Sequence, residues 1–159
     1  MEISKALAVR LREVFLDGQW IANTNYKHQI QDLDWHKATQ KIGTLNSIAS
    51  LIFHVNYYLA GILEVFNGGE LLIRDQFAFD IPPITGEEDW AKMRSTFLDN
   101  AAMFAQAVME MSDVQLASNF VDEKYGSYAR NIEGVIEHAY YHLGQIAIIK
   151  KMLESKNHL

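Results

Sequence analysis

The sequence has no cysteine. Disulfides, iron–sulfur clusters, thiolate zinc sites and a cysteine nucleophile are therefore excluded, and any metal must be held by His, Asp or Glu. The absence fits a reducing compartment, and a cytoplasmic protein is expected. Proline is almost as scarce, with two residues that stand together as Pro82 and Pro83. Long proline-free stretches favour helices over a turn-rich β fold. A large basic cluster is also missing. The formal net charge is -6, and no Lys/Arg group is extensive enough to neutralise a phosphate backbone, so no nucleic-acid partner is expected. Lys150 and Lys151 fall near a helix end, where cations complement the dipole. Gly68-Gly69 is not followed by the Lys and Ser/Thr of a phosphate loop, and Ser47 and Ser50 lack a nucleophile-elbow context.

Membrane and export signals are weak. The opening MEISKALAVRLREVF mixes charges into its apolar residues, so no signal peptide is expected. Ile42 to Leu63 contains no Asp, Glu, Lys or Arg and is long enough to span a bilayer. However, Asn46, His54 and Asn56 would then sit in hydrocarbon without partners. A buried bundle helix is expected instead, with no membrane partner.

What remains is an ordinary globular balance: 159 residues, 49% apolar and 21% charged. One domain over 1–159 is expected, with no repeats, linkers or low-complexity runs. Apolar periodicity predicts four long helices. The first covers about Ile3 to Leu16, with Ile3, Leu7, Leu11 and Val14 as its stripe and Gly18 as a stop. The second covers about Leu45 to Phe66, through Ile48, Ile52, Val55, Leu59, Ile62 and Phe66, ended by Gly68 and Gly69. The third covers about Glu87 to Met111, through Trp90, Phe97, Ala101, Phe104, Val108 and Met111, with Thr85 and Glu88 as a capping box. The fourth covers about Ala129 to Leu153, through Ile132, Ile136, Ala139, Leu143 and Ile146. Residues 17 to 44 are too polar for one core helix, but NYKHQIQDL and DWHKATQKI each suit a short one. Residues 67 to 86 form a long crossover, and FVDEKYGSY suits a small hairpin turning at Gly126. The fold class is all-α, a four-helix bundle.

Six histidines are present. His28, His36 and His158 lie in polar segments and are expected at the solvated surface. His138 and His142, four positions apart in a helix, stack on one face about 6 Å apart along the axis. That spacing lets two imidazoles chelate one ion, though such pairs also arise on surfaces by chance. At 100° per residue, His54 falls roughly 130° from the centre of its helix's aliphatic stripe, and His138 and His142 roughly 65° to 105° from theirs, in the same sense. If the second and fourth helices pack antiparallel, these flanks turn toward one another. The alternative is that His54 is partly exposed or hydrogen-bonded inside the bundle. Tyr58 shares the flank of His54, as does Leu51, and both are expected to line a pocket there. Gln145 stands near His142 and is placed to hydrogen-bond a liganding ring. Tyr57, Tyr140 and Tyr141 suit bundle packing with polar tips at the edge. Glu137 projects away from the His face. Di-iron bundles need Glu-x-x-His on two helices, a repeat this chain does not have.

LNSIASLIFHVNYYL, followed far downstream by IEHAYYHLGQIAIIKK, resembles the DinB-like (DinB/YfiT) superfamily. Its pattern is one His midway along the second helix and H-x-x-x-H-x-G-Q-I on the fourth, read here as His138, His142, Gly144, Gln145 and Ile146. The resemblance covers essentially the whole chain in helix order and length. It implies up-down-down-up topology with the long crossover between the second and third helices. It also implies a divalent metal, zinc or nickel, at His54, His138 and His142, and a homodimer. For activity it implies a metal-dependent transferase-like enzyme using a low-molecular-weight thiol, or a hydrolase activating water, on a small-molecule substrate. With no cysteine in the chain, any thiolate comes from a cosubstrate. The alternative is a non-catalytic bundle whose metal site is structural or vestigial and which acts by dimerisation or ligand binding.

Overall fold

The structure, a computed structural model, describes residues 2–155; His158, expected at the surface, lies outside them. Among the described residues the fold is all-helical, without a named strand. Four long helices carry it: α1 (Glu2–Phe15), α4 (Ile48–Phe66), α5 (Glu87–Glu110) and α7 (Tyr128–Ser155). Three short helices lie between them: α2 (Tyr26–Ile30), α3 (Trp35–Thr39) and α6 (Asp113–Ala117). α1 packs on α5 and α7, and α4 packs on the same two.

The expected stripes build this core with two exceptions, one at the start of α1 and one at the end of α4. Leu7, Leu11 and Val14 are buried, but Ile3 is 57% exposed and Ser4 takes the inward position. The stripe thus turns one residue at the first turn, and further along α1 Ala8 and Phe15 also enter the core. On α4 every stripe residue is buried except Phe66, which packs partly buried against the cluster. The stripes of α5 and α7 are buried throughout. α4 is long and apolar enough to cross a membrane, and its apolar side is the side that faces the other helices.

The helix ends follow from local chemistry. Ser47 caps α4 through the Ser50 N–H, which starts the helix three residues after the expected Leu45. At the other end Gly69 N–H donates to Glu64 O and Gly68 N–H to Val65 O. Gly68 adopts φ +88, the left-handed conformation this stop needs and glycine supplies at no steric cost. The expected Thr85–Glu88 capping box does not form. Gly86 is the N-cap, and the Asp89 carboxylate instead accepts from both the N–H and the hydroxyl of Thr85, each at 2.8 Å. FVDEKYGSY turns through a 3-10 helix at Glu123–Tyr125, and one antiparallel bridge, from Asn119 just before it to Ser127, stands in place of the paired strands of a hairpin.

The polar segment 17–44 is tied down from several sides. Tyr26 is fully buried against Phe15 and Phe97, and its hydroxyl donates to Ala139 O on α7 at 2.7 Å. Trp90 Nε1–H donates to Leu33 O at 2.6 Å, and Arg94 donates to Ile30 O and Gln31 O at the end of α2. His28 and His36 are exposed, as expected.

Phe97 sits at the meeting point of these contacts. Phe97→Ala should cost about 3–5 kcal/mol of unfolding free energy through the cavity it leaves. Ile3→Ala should change it by less than about 0.5 kcal/mol. Urea titration checks both, and equal costs would contradict the inward and outward placements.

Candidate metal centre

His54 stands midway along α4, and His138 and His142 one turn apart on α7. Along the seam between these helices, Phe66 stacks on Tyr128 near one end, while Leu51 shares a cavity with Gln145, Ile148 and Ile149 near the other. The histidines meet between those points.

Their Nε2 atoms converge. His54 Nε2 lies 3.1 Å from His138 Nε2, and His142 Nε2 lies 3.0 Å from the same atom. One ligand atom from each ring falls within 4.8 Å of the others, and this is the group of three the described residues offer for a metal. Zn–N bonds of about 2.0–2.1 Å place adjacent ligand nitrogens roughly 2.9–3.4 Å apart, from right-angle to tetrahedral geometry. The two contacts to His138 Nε2, at 3.1 and 3.0 Å, fall in that span.

The opposite ring nitrogens show why the lone pairs point inward. His54 Nδ1 lies 3.2 Å from Ala78 O. A carbonyl oxygen only accepts, so Nδ1 carries the hydrogen and Nε2 the lone pair. His142 Nδ1 lies 2.6 Å from Gln145 Oε1, which keys that ring the same way. His138 Nε2 therefore faces two acceptors, and one hydrogen on it cannot serve both at full strength. A cation would serve all three, and the rings are close enough to bind one, with outer hydrogen bonds orienting two of them.

Burial favours neutral rings. His54 and His142 are buried and His138 partly so. Desolvation is the main reason the His138 pKa is lowered from 6.5 to about 4, with repulsion from His142 and His54 adding to it. His54 is lowered by burial and then by His142, against the Ala78 bond. His142 is lowered by burial, against the Gln145 bond.

Two parts of the surroundings were not expected from the sequence, and both come from the crossover. Phe79 stacks on the His54 ring at 4.1 Å between centroids, nearly parallel. Ala78 supplies the carbonyl already described. Neither a backbone acceptor nor a ring brought in from a loop leaves a periodic trace in sequence. The crossover is seated by Ile73, which occupies the space a side chain would fill at Gly61, and by Tyr57, whose hydroxyl bonds the backbone of Arg74.

Tyr58 packs edge-on to His54 and His138 and donates to Asp75 Oδ1 at 2.9 Å. Its pKa is raised to about 12 by burial first and Asp75 second. With His138 it lines a cavity of about 410 Å³. Leu51 does not share that cavity; it lines the one of about 330 Å³ on the Gln145 side. The two residues are seven positions apart, so they flank His54 along the helix axis in opposite directions. Glu137 is exposed and paired with Arg130.

Set against protein-family models, curated proteins and solved structures, the chain has no match. The site rests on its own geometry.

Gln145→Ala removes the acceptor on His142 Nδ1 and should weaken zinc binding about 10–100-fold, read by competition with a chromophoric chelator. Unchanged affinity would contradict the keyed-ring geometry. Metal-free protein should lose stability as pH falls from 6.5 toward 4, because the unfolded chain takes up protons that the buried rings refuse. Urea titrations across that range check this, and a flat profile would contradict it.

Proposed function

We propose that the chain is a DinB-like metal-binding protein that acts as a metal-dependent enzyme on a small-molecule substrate. The observation that supports this most is the convergence of three Nε2 lone pairs, two of them keyed by Nδ1 bonds. The motif adds independent support, since Gln145, fixed within H-x-x-x-H-x-G-Q-I, is the residue that holds His142. Zinc or nickel suits an all-imidazole donor set. A divalent ion held there supplies Lewis-acid activation of a low-molecular-weight thiol or of water at neutral pH.

The chain's own residues do the rest. Ala78 O and Gln145 Oε1 hold the rings in the ligating tautomer. Phe79 covers one face of His54 and limits water there. Tyr58, with its pKa near 12, stays a neutral donor at physiological pH. Three protein ligands leave a coordination position open, whereas structural zinc sites close with four. His138 borders the 410 Å³ cavity, and this favours an open, catalytic site over a structural one.

The bundle course we infer is up-down-down-up. Its support is that α4 meets α5 first at Asn56–Asn100 and then at Phe66–Phe104, in the sense of a parallel pair joined by the long crossover. Along α7 the order of contacts is reversed. We also propose a cytoplasmic homodimer. Its support, beside the resemblance, is the exposed apolar row of Tyr141, Ile148 and Met152 on α7. A single-chain mass by light scattering well above micromolar concentration would contradict the dimer.

Purified protein should take up about one divalent ion per chain. His54→Ala, His138→Ala and His142→Ala should each lower affinity sharply, whereas His28→Ala and His36→Ala should leave it unchanged. Because burial lowers all three ring pKa values, affinity should hold through pH 6.5 and fall at lower pH as the rings take up protons. Equilibrium dialysis with metal analysis checks each of these. The metal reading fails if His54→Ala and His142→Ala bind metal as well as the parent.

A further inference from the structure

The cavity beside the histidines has a second chemical end. Tyr58 and His138 line one side, and Arg130 and Asn131 the other, with Ile62, Val135 and the Tyr125 ring among the walls. Its volume of about 410 Å³ is in the range of small-molecule sites. Apart from the titratable ring of His138, Arg130 is the charged side chain among these lining residues.

Arg130 is exposed, with 58% of its side chain accessible, and is held along the helix surface by an ion pair. Its Nη1 donates to Glu137 Oε2 at 3.1 Å, two turns further along α7. Nη1 also lies 3.9 Å from the point where Gly134 would carry a Cβ. The guanidinium thus rests over a mid-helix glycine, one turn before His138. Glycine there costs the helix roughly 1 kcal/mol relative to alanine, and it leaves the cavity floor open beneath the charge. Arg130 lies in the first turn of α7, where the helix dipole adds positive potential. A guanidinium fork carries five N–H donors, so one bond to Glu137 does not exhaust it. Glu137 competes for Arg130, Glu133 follows Arg130 by three positions on the same helix, and Asp75 is engaged by Tyr58.

We propose that this cavity is a subsite for a small organic carboxylate, with Arg130 as its counter-charge. Resting on the metal reading above, the full ligand has three parts. A carboxylate sits at Arg130, an apolar or aromatic segment lies between Tyr58, Ile62 and Tyr125, and a donor group points toward the histidines.

The test uses 3-phenylpropionate and its neutral amide, 3-phenylpropionamide, titrated into metal-free protein. Binding is followed through the backbone amide resonances of Asn131 and Gly134. The carboxylate should bind about tenfold tighter or better, the size of one charge-assisted bond. Arg130→Gln should make the two probes equal, Arg130→Lys should keep part of the preference, and Glu137→Gln should tighten the carboxylate by removing its competitor. Equal binding of both probes, binding of neither, or a preference that survives Arg130→Gln overturns the proposal. Zinc titration of the same samples separates the two readings. Zinc binding without carboxylate preference refutes the subsite alone, and carboxylate preference without zinc binding refutes the metal centre alone.

Discussion

Three imidazole nitrogens are brought within 4.8 Å of one another with at most one hydrogen to share among them, and the rest of the molecule is arranged around that constraint. A single proton on His138 satisfies one neighbour well at a time. The hydrogen bonds at Ala78 and Gln145 prevent His54 and His142 from turning their own N–H groups inward to relieve it. Burial then keeps the rings neutral, which is the state that binds a metal. Electrostatics, tautomer and burial act in the same direction.

The long connections serve this seam. The crossover is a loop by sequence, yet it delivers Ala78 and Phe79 to His54, and the fit of Ile73 over Gly61 seats it. The polar segment after α1 fastens α7 through Tyr26 on Ala139 and through Lys150 on Gln29 O. The continuous apolar core among α1, α4, α5 and α7 holds α4 and α7 together without the ion, so the fold is expected to stand when the metal is absent.

Much of this was legible in the sequence because helical periodicity is a local signal. The four long helices fall within a few residues of their expected limits, and the rotational position of His54 against His138 and His142 places them on facing flanks. Gln145, three residues past His142, was readable for the same reason. What escaped reading depends on distance or on fine choices at helix ends. Ser4 replaces Ile3 because the first turn has no preceding turn to fix its phase. Asp89 outcompetes Glu88 because the helix begins at Glu87, after a Gly86 cap. Ala78 and Phe79 reach the site from a segment whose course is set only once α4 has packed, and Leu51 and Tyr58 part along the helix axis although they share a flank.

The ring nitrogens themselves report most directly on this arrangement. Long-range 1H–15N spectra of histidine-labelled, metal-free protein resolve which nitrogen of each ring carries hydrogen. His54 and His142 should both appear as the Nδ1–H form, with unprotonated Nε2. One equivalent of zinc should then shift the Nε2 resonances of His54, His138 and His142 together and leave His28 and His36 unmoved. Nε2–H tautomers at His54 and His142, or no change on adding zinc, would contradict a metal centre built from these three rings.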